Sequence, residues 1–253
     1  MSTRRRLLLG LAAMAASPTR AALVDVIVAA KRSVGAVGTF SAVNSPRFSF
    51  RGTGFVVGDG NQLITNAHVL PEATAMGDGK SALVVQFGTG SGTLEVRQAV
   101  VAASDGEHDL ALLRFEGGAL PALRLADAKD THEGLSVAFI GYPIGGVLGF
   151  RPVTHRGIIS SITAVALPPP NSQLLNERTA RRLRQGSFDI YQLDATAFPG
   201  NSGGPVLDVE TGNVVGVINM VLVRATKESA LSHPTGITYA IPATFIDALV
   251  RGR

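Results

Sequence analysis

Three residues of this chain could together activate a nucleophile. Ser202 stands in Phe198-Pro199-Gly200-Asn201-Ser202-Gly203-Gly204-Pro205-Val206. Its flanking glycines let the backbone turn sharply and expose both a hydroxyl and bare N–H groups. A serine hydroxyl is a weak nucleophile alone: it needs a neighbouring base, and that base needs a third group to orient it. His68, in Thr65-Asn66-Ala67-His68-Val69, is the candidate base. Asp109, in His108-Asp109-Leu110-Ala111-Leu112-Leu113, is the candidate orienting acid. The order is His, Asp, Ser, with steps of 41 and 93 residues. Alone, each has a bland reading: a structural histidine, a turn aspartate, a loop serine. The catalytic reading rests on order, spacing and local context together.

That order is the one used by chymotrypsin-like proteases. The segments Thr65-Asn66-Ala67-His68-Val69, Asp109-Leu110-Ala111 and Gly200-Asn201-Ser202-Gly203-Gly204 resemble that trypsin-like family, and most closely its bacterial HtrA (Deg) branch. Gly141-Tyr142-Pro143, Asp194-Ala195 and Tyr239-Ala240-Ile241-Pro242 extend the resemblance over residues 50 to 246. Activatable trypsin-like enzymes carry Asp before the serine, to pair with a newly cut N-terminus. Asn201 cannot form that ion pair, so the resemblance implies no zymogen cleavage. It also implies an oxyanion hole from the N–H groups of Gly200 and Ser202. It puts Thr196 at the base of the substrate pocket, Ile218-Asn219-Met220 beside the peptide, and Gly236-Ile237 on another wall. No carboxylate marks that pocket, so small or medium aliphatic side chains are favoured over Lys or Arg. An extended polypeptide would add a strand to the sheet edge.

Twelve short strands must position these residues. Six are expected before the middle, over 34–40, 53–58, 61–66, 82–87, 93–102 and 110–115. Six follow, over 136–141, 155–164, 188–194, 204–208, 213–222 and 236–241. Gly58-Asp59-Gly60-Asn61 and Glu210-Thr211-Gly212-Asn213 are hairpin signals between them. Pattern alone gives an all-β chain, barrel or sandwich. The resemblance implies two six-stranded antiparallel barrels, over about 30–120 and 134–242, joined by residues 121–133. A short C-terminal helix is expected over 243–251, with Phe245, Ile246, Leu249 and Val250 on its packing face. Residues 166–187 are expected to form a loop: Pro168-Pro169-Pro170 cannot enter a central strand, and four arginines follow between Glu177 and Arg184.

Residues 1–22 read as an export signal. Arg4-Arg5-Arg6 precedes an apolar run, Leu7 to Ala16, then a small-residue cleavage zone. The consecutive arginines fit twin-arginine export as well as Sec export. The run is short for a bilayer of about 30 Å, so no stable membrane anchor is expected after cleavage. Four of the 23 basic residues and none of the 19 acidic ones lie in this segment. The remaining chain, 23–253, is then balanced in charge, which argues against a nucleic-acid partner. There is no cysteine, hence no disulfide framework. HtrA proteins commonly continue into PDZ domains, and with Arg253 only 11 residues beyond Pro242 a protease domain without them is expected.

The expected protein is therefore an exported, periplasmic or secreted serine endopeptidase acting on polypeptides, unfolded ones above all. No cofactor and no metal are expected: His108, His132, His155 and His233 lack metal-ligand spacing. His108, beside Asp109, would point the opposite way on a strand. The oligomeric state is left open, with a trimer as the family analogy. Two other readings stand beside this one. A latent or non-catalytic member would bind polypeptides through the same groove, its glycine- and proline-rich loops leaving the oxyanion hole unformed at rest. Gly200-x-Ser202-x-Gly204 also fits the nucleophile elbow of α/β-hydrolases. That fold needs a helix after the serine, and here a β-branched run follows.

Overall fold

The computed structural model describes residues 23–72, 81–88, 93–144, 149–164, 188–220 and 236–252. The export segment, the arginine-rich stretch 166–187 and His233 lie outside these residues. Twelve strands form two closed antiparallel barrels. The first contains β1 (Val34–Ser41), β2 (Phe48–Val57), β3 (Gln62–Asn66), β4 (Ser81–Gly88), β5 (Leu94–Asp105) and β6 (Leu110–Phe115). The second contains β7 (Ser136–Gly141), β8 (Val153–Ala164), β9 (Asp189–Asp194), β10 (Pro205–Asp208), β11 (Val214–Asn219) and β12 (Ile237–Pro242). Their spatial orders are β1-β2-β3-β6-β5-β4 and β10-β11-β12-β9-β8-β7. All twelve fall where the sequence pattern puts them. The main difference is β2, which begins at Phe48 rather than 53 and pairs Phe48 with Phe40 of β1.

Each barrel has its own apolar filling. Val37, Val56, Leu63, Val85 and Leu113 fill the first, and Val137, Phe139, Ile159, Leu193 and Ile218 fill the second. A third cluster lies on the seam and takes side chains from both, including Val34, Phe55, Ile64 and Leu110 with Ile140, Val217 and Ile241. Two helices close this seam. Helix α1 (Leu23–Lys31), for which the pattern gave no expectation, buries Val26 and Ala30 in it. Helix α2 (Thr244–Arg251) buries Ile246 fully, with Phe245, Leu249 and Val250 packed around it. Gly252, with φ 67°, ends α2 in the left-handed conformation that glycine accepts.

His108 secures α2 against the first barrel. Its Nδ1 lies 2.6 Å from Asp105 Oδ2, and its ring stacks on Phe245 at 3.8 Å. Burial works against the Asp105 charge, but the hydrogen bonds from His108 prevail and hold its carboxyl below the usual range. His108 is thus structural and turned away from the neighbouring Asp109 side chain's partners.

The seam residues should dominate stability. Ile246→Ala is expected to cost about 2–5 kcal/mol, as for other fully buried aliphatic truncations. Val28→Ala, on the exposed face of α1, should stay within about 0.5 kcal/mol. Denaturant midpoints of the two variants measure both.

Candidate active site

The seam brings the three candidate residues together. His68 sits in a single 3₁₀ turn, Ala67–Val69, directly after β3. Arg51 of β2 holds the end of that turn, donating Nε to Val69 O at 2.6 Å and a terminal nitrogen to Leu70 O at 2.8 Å. Asp109 stands just before β6, at φ 54°. This left-handed conformation is uncommon outside glycine but tolerated by aspartate. It is held from both ends: the Asp109 carbonyl accepts Ala67 N at 3.0 Å and Asn66 Nδ2 at 3.1 Å.

The Asp109 carboxylate accepts three hydrogen bonds. Oδ1 takes the His68 backbone N–H at 2.9 Å. Oδ2 takes His68 Nδ1 at 2.6 Å and Asn219 Nδ2 at 2.8 Å. The first pair fixes the imidazole with its proton on Nδ1, which leaves Nε2 as the lone-pair nitrogen. Asn219, expected on the strand beside a peptide, uses its side chain to steady Asp109. The next residue, Met220, donates its N–H to Ser202 Oγ at 3.3 Å. Asn219-Met220 thus bridges Asp109 and Ser202. His68 and Ser202 share no hydrogen bond here, and among the described residues the His68 ring bonds only Asp109.

Ser202 follows a type II turn. Asn201 N–H donates to Phe198 O at 3.0 Å, closing the turn, and Gly200 at its third position has φ 103°. The sequence Phe198-Pro199-Gly200-Asn201 dictates this type: proline presets φ at the second position, and the third needs a residue with φ > 0. A Cβ on Gly200 would also lie 2.3 Å from Tyr142 O. Ile144 N–H donates to Pro199 O at 2.7 Å. A trans peptide points its N–H opposite to its C=O, so this bond turns the Gly200 N–H to the other side. Ile144 itself has φ 57°, an outlier for a β-branched residue. Among the described residues, the N–H groups of Gly200 and Ser202 have no acceptor. They are the two donors expected for an oxyanion.

The remaining expected residues divide. Thr196 lies half-buried between Ala195 and Ala197, which are bonded to Gly236 and Thr238. Ala195 N–H donates to Gly236 O at 3.0 Å, and Ala197 N–H to Thr238 Oγ1 at 3.0 Å. Thr196 and Gly236 thus share one wall. Ile218 is committed elsewhere: its N–H donates to Gly204 O, its carbonyl accepts Gly203 N–H, and its side chain fills the second barrel. Among the described residues, no group of three or more His, Asp or Glu side chains is placed to hold a metal ion.

Two participants escaped the sequence pattern. Asn201 Nδ2 lies 3.4 Å from His155 Nε2, and the His155 ring stacks on Phe139 at 4.7 Å. A neutral contact thus replaces the ion pair of activatable trypsin-like enzymes. Thr53, on β2, touches the Ser202 turn directly. The signal for it was a threonine between Gly52 and Gly54 in an apolar strand; a Cβ on Gly52 would meet Val69 and the Ser202 carbonyl.

The fold is that of a trypsin-like peptidase. Residues 52–217 match the trypsin-like peptidase domain, and the chain belongs to that family. It is similar to a DegP-like periplasmic serine endoprotease of Halomonas elongata, 30% identical over 195 residues, 76% of this chain and 32% of that protein. It is also 30% identical to the chloroplastic Protease Do-like 5 of Arabidopsis thaliana over 202 residues, 79% of this chain and 55% of that one. The chain therefore spans between 32% and 55% of the length of these two relatives. Among solved structures it is similar to Deg5, with TM-score 0.61, 25% identity and 90% of each chain covered. The fold is shared with the HtrA-type protease AlgW with a decapeptide, at TM-score 0.63, 24% identity, 91% of this chain and 68% of that one.

The site has a pH signature. Burial lowers the His155 pKa below its ordinary value of 6.5. Around and below that value the unfolded chain binds a proton that the folded chain resists, so stability falls as pH falls. Between pH 7 and 5.5, thermal melting should drop more steeply in the wild type than in His155→Gln. Equal slopes would remove His155 as the cause.

Proposed function

We propose that the protein is a serine endopeptidase with His68, Asp109 and Ser202 as its catalytic residues and Gly200 and Ser202 as its oxyanion hole. The observation behind this reading is the convergence at one seam of a His68–Asp109 pair and a serine flanked by two acceptor-free N–H groups. Ser202 Oγ attacks the scissile carbonyl. His68 Nε2 takes the hydroxyl proton and later gives it to the leaving amine, while Asp109 holds the tautomer and stabilises the imidazolium. The negative carbonyl oxygen is received by the two N–H groups, and water then releases the acyl group by the same steps.

The substrates proposed are polypeptides, unfolded ones in particular, bound as an added strand with small or medium aliphatic side chains at the cleavage site. Support comes from the absence of a carboxylate at Thr196 and Gly236 among the described residues, and from the relatives named as DegP-like periplasmic serine endoproteases. The same names, with the signal-like residues 1–22, support a bacterial periplasmic setting.

A second reading has its own observation. Ser202 Oγ is bonded to Met220 N–H and not to His68, which suits a resting state whose proton relay is open. Catalytic hydrogen bonds are often loose before substrate arrives, so the two readings differ in what a ligand must do.

Fluorophosphonate labelling read by mass spectrometry separates them. The expected adduct is on Ser202, lost in Ser202→Ala and in His68→Ala. An adduct formed only when unfolded casein is added identifies the resting state, and none under either condition in folded protein sinks the peptidase reading. For casein cleavage, Asp109→Asn should lower turnover by about 10⁴-fold. Gly200→Ala, which disturbs one oxyanion donor, should lower it by about 10²–10³-fold.

A further inference from the structure

Four successive peptide units build the Ser202 turn, and each has its carbonyl held. Pro199 O accepts from Ile144 N–H at 2.7 Å, and Asn201 O from Gly204 N–H at 2.9 Å. The other two go to one residue. Thr53 Oγ1 donates to Gly200 O at 2.7 Å, and Thr53 N–H donates to Ser202 O at 2.9 Å. Ile144 and Gly204 belong to the second barrel, so Thr53 is the first barrel's contribution to this set.

Thr53 is itself fixed on every side. It is fully buried. Its Oγ1, having donated its proton to Gly200 O, accepts Tyr142 N–H at 3.1 Å, so the hydroxyl is saturated in one orientation. Its carbonyl accepts Thr65 Oγ1 at 2.7 Å. Thr65 lies three residues before His68, at the end of β3. A Cβ on Gly203 would fall 2.1 Å from Thr53 O and 2.5 Å from Thr65 Oγ1, so the serine turn lies directly on this pair.

From this geometry we infer that Thr53 is a positioning residue for the reaction, resting on the peptidase reading above. Holding Gly200 O fixes the peptide plane after Gly200, while Ile144 fixes the plane before it. Together they set the φ of 103° that aims the Gly200 N–H outward. Holding Ser202 O fixes the plane after the nucleophile. Because Thr53 reaches the His68 segment through Thr65, it also sets the separation of Ser202 from His68. Misplacement by about 1 Å at such a site can cost on the order of 10²-fold in rate.

The test uses two near-isosteric changes. Thr53→Val keeps the shape and removes the hydroxyl; Thr53→Ser keeps the hydroxyl and removes the methyl. Fluorophosphonate labelling of Ser202 and casein cleavage are measured per folded molecule by circular dichroism, with casein present wherever the wild type requires it. Thr53→Val is expected to slow labelling and lower kcat by about tenfold to a hundredfold, with KM for casein changed by less than about threefold. Thr53→Ser is expected to stay within about threefold of wild type in both. Thr53→Cys, a weaker donor of similar size, should fall between them and serves as the test where the valine variant does not fold. A Thr53→Val protein that melts earlier yet labels at the wild-type rate overturns the positioning role and leaves a structural one. Equal loss in Thr53→Ser and Thr53→Val also overturns it. A folded wild type that never labels overturns the peptidase reading, and the Thr53 role with it.

Discussion

The structure depends on how one short run of backbone satisfies its hydrogen bonds. Buried N–H and C=O groups are costly when unpaired. Between Pro199 and Gly203 all four carbonyls are paired, and so are the N–H groups of Asn201 and Gly203. The two left over belong to Gly200 and Ser202, on the side of the nucleophile. Among the described residues these two have no acceptor, and on the peptidase reading a developing oxyanion is the group they would bind. The turn type makes this affordable: Pro199-Gly200 favours type II locally, so little of the orientation must come from tertiary contacts.

The seam between barrels explains why the other half of the site is elsewhere. A closed barrel has no free sheet edge, and His68 and Asp109 face the seam from strand ends of the first barrel. His68 leaves the end of β3 and Asp109 enters β6, and β3 and β6 pair with Asn66 opposite Leu110. His68 and Asp109 are thus neighbours through the ladder of one barrel. Ser202 belongs to the other. Asn219 crosses the seam to Asp109, and Thr53 crosses it to the serine turn. The same seam holds the apolar cluster of Phe55, Ile64, Leu110, Ile140 and Val217.

Much of this was legible in the chain. Strands announced themselves by short apolar runs between turn residues, and all twelve lie where that pattern puts them. His68, Asp109 and Ser202 stood out as candidates because each stands in a short motif whose neighbours are also constrained. Helix α1 was not: Leu23-Val24-Asp25-Val26-Ile27-Val28 is β-branched and abuts an export-like segment, and only docking of Val26 and Ala30 on the seam makes it helical. The contacts of Thr53, Asn219 and His155 were illegible for a different reason. Their partners lie 147, 110 and 46 residues away, and a hydrogen bond across two barrels leaves no periodic trace. Ile218, on the strand that the resemblance puts beside a peptide, turns its side chain into the core, as strand alternation requires.

These contacts give the two halves of the site different states in one structure. The turn before Ser202 is closed, and among the described residues the N–H groups of Gly200 and Ser202 have no acceptor. Ser202 Oγ rests on Met220 N–H while His68 is engaged with Asp109. The difference follows from what holds each part. The turn is fixed by backbone bonds, which have few alternatives. The serine hydroxyl is a single rotor held by one long bond of 3.3 Å, near the weak end of hydrogen-bond geometry. Exchanging that bond for one to His68 requires turning a side chain, whereas opening the oxyanion turn would break several bonds at once. In this arrangement a ligand's work falls on the rotor and on the Asn219-Met220 segment behind it, not on the turn.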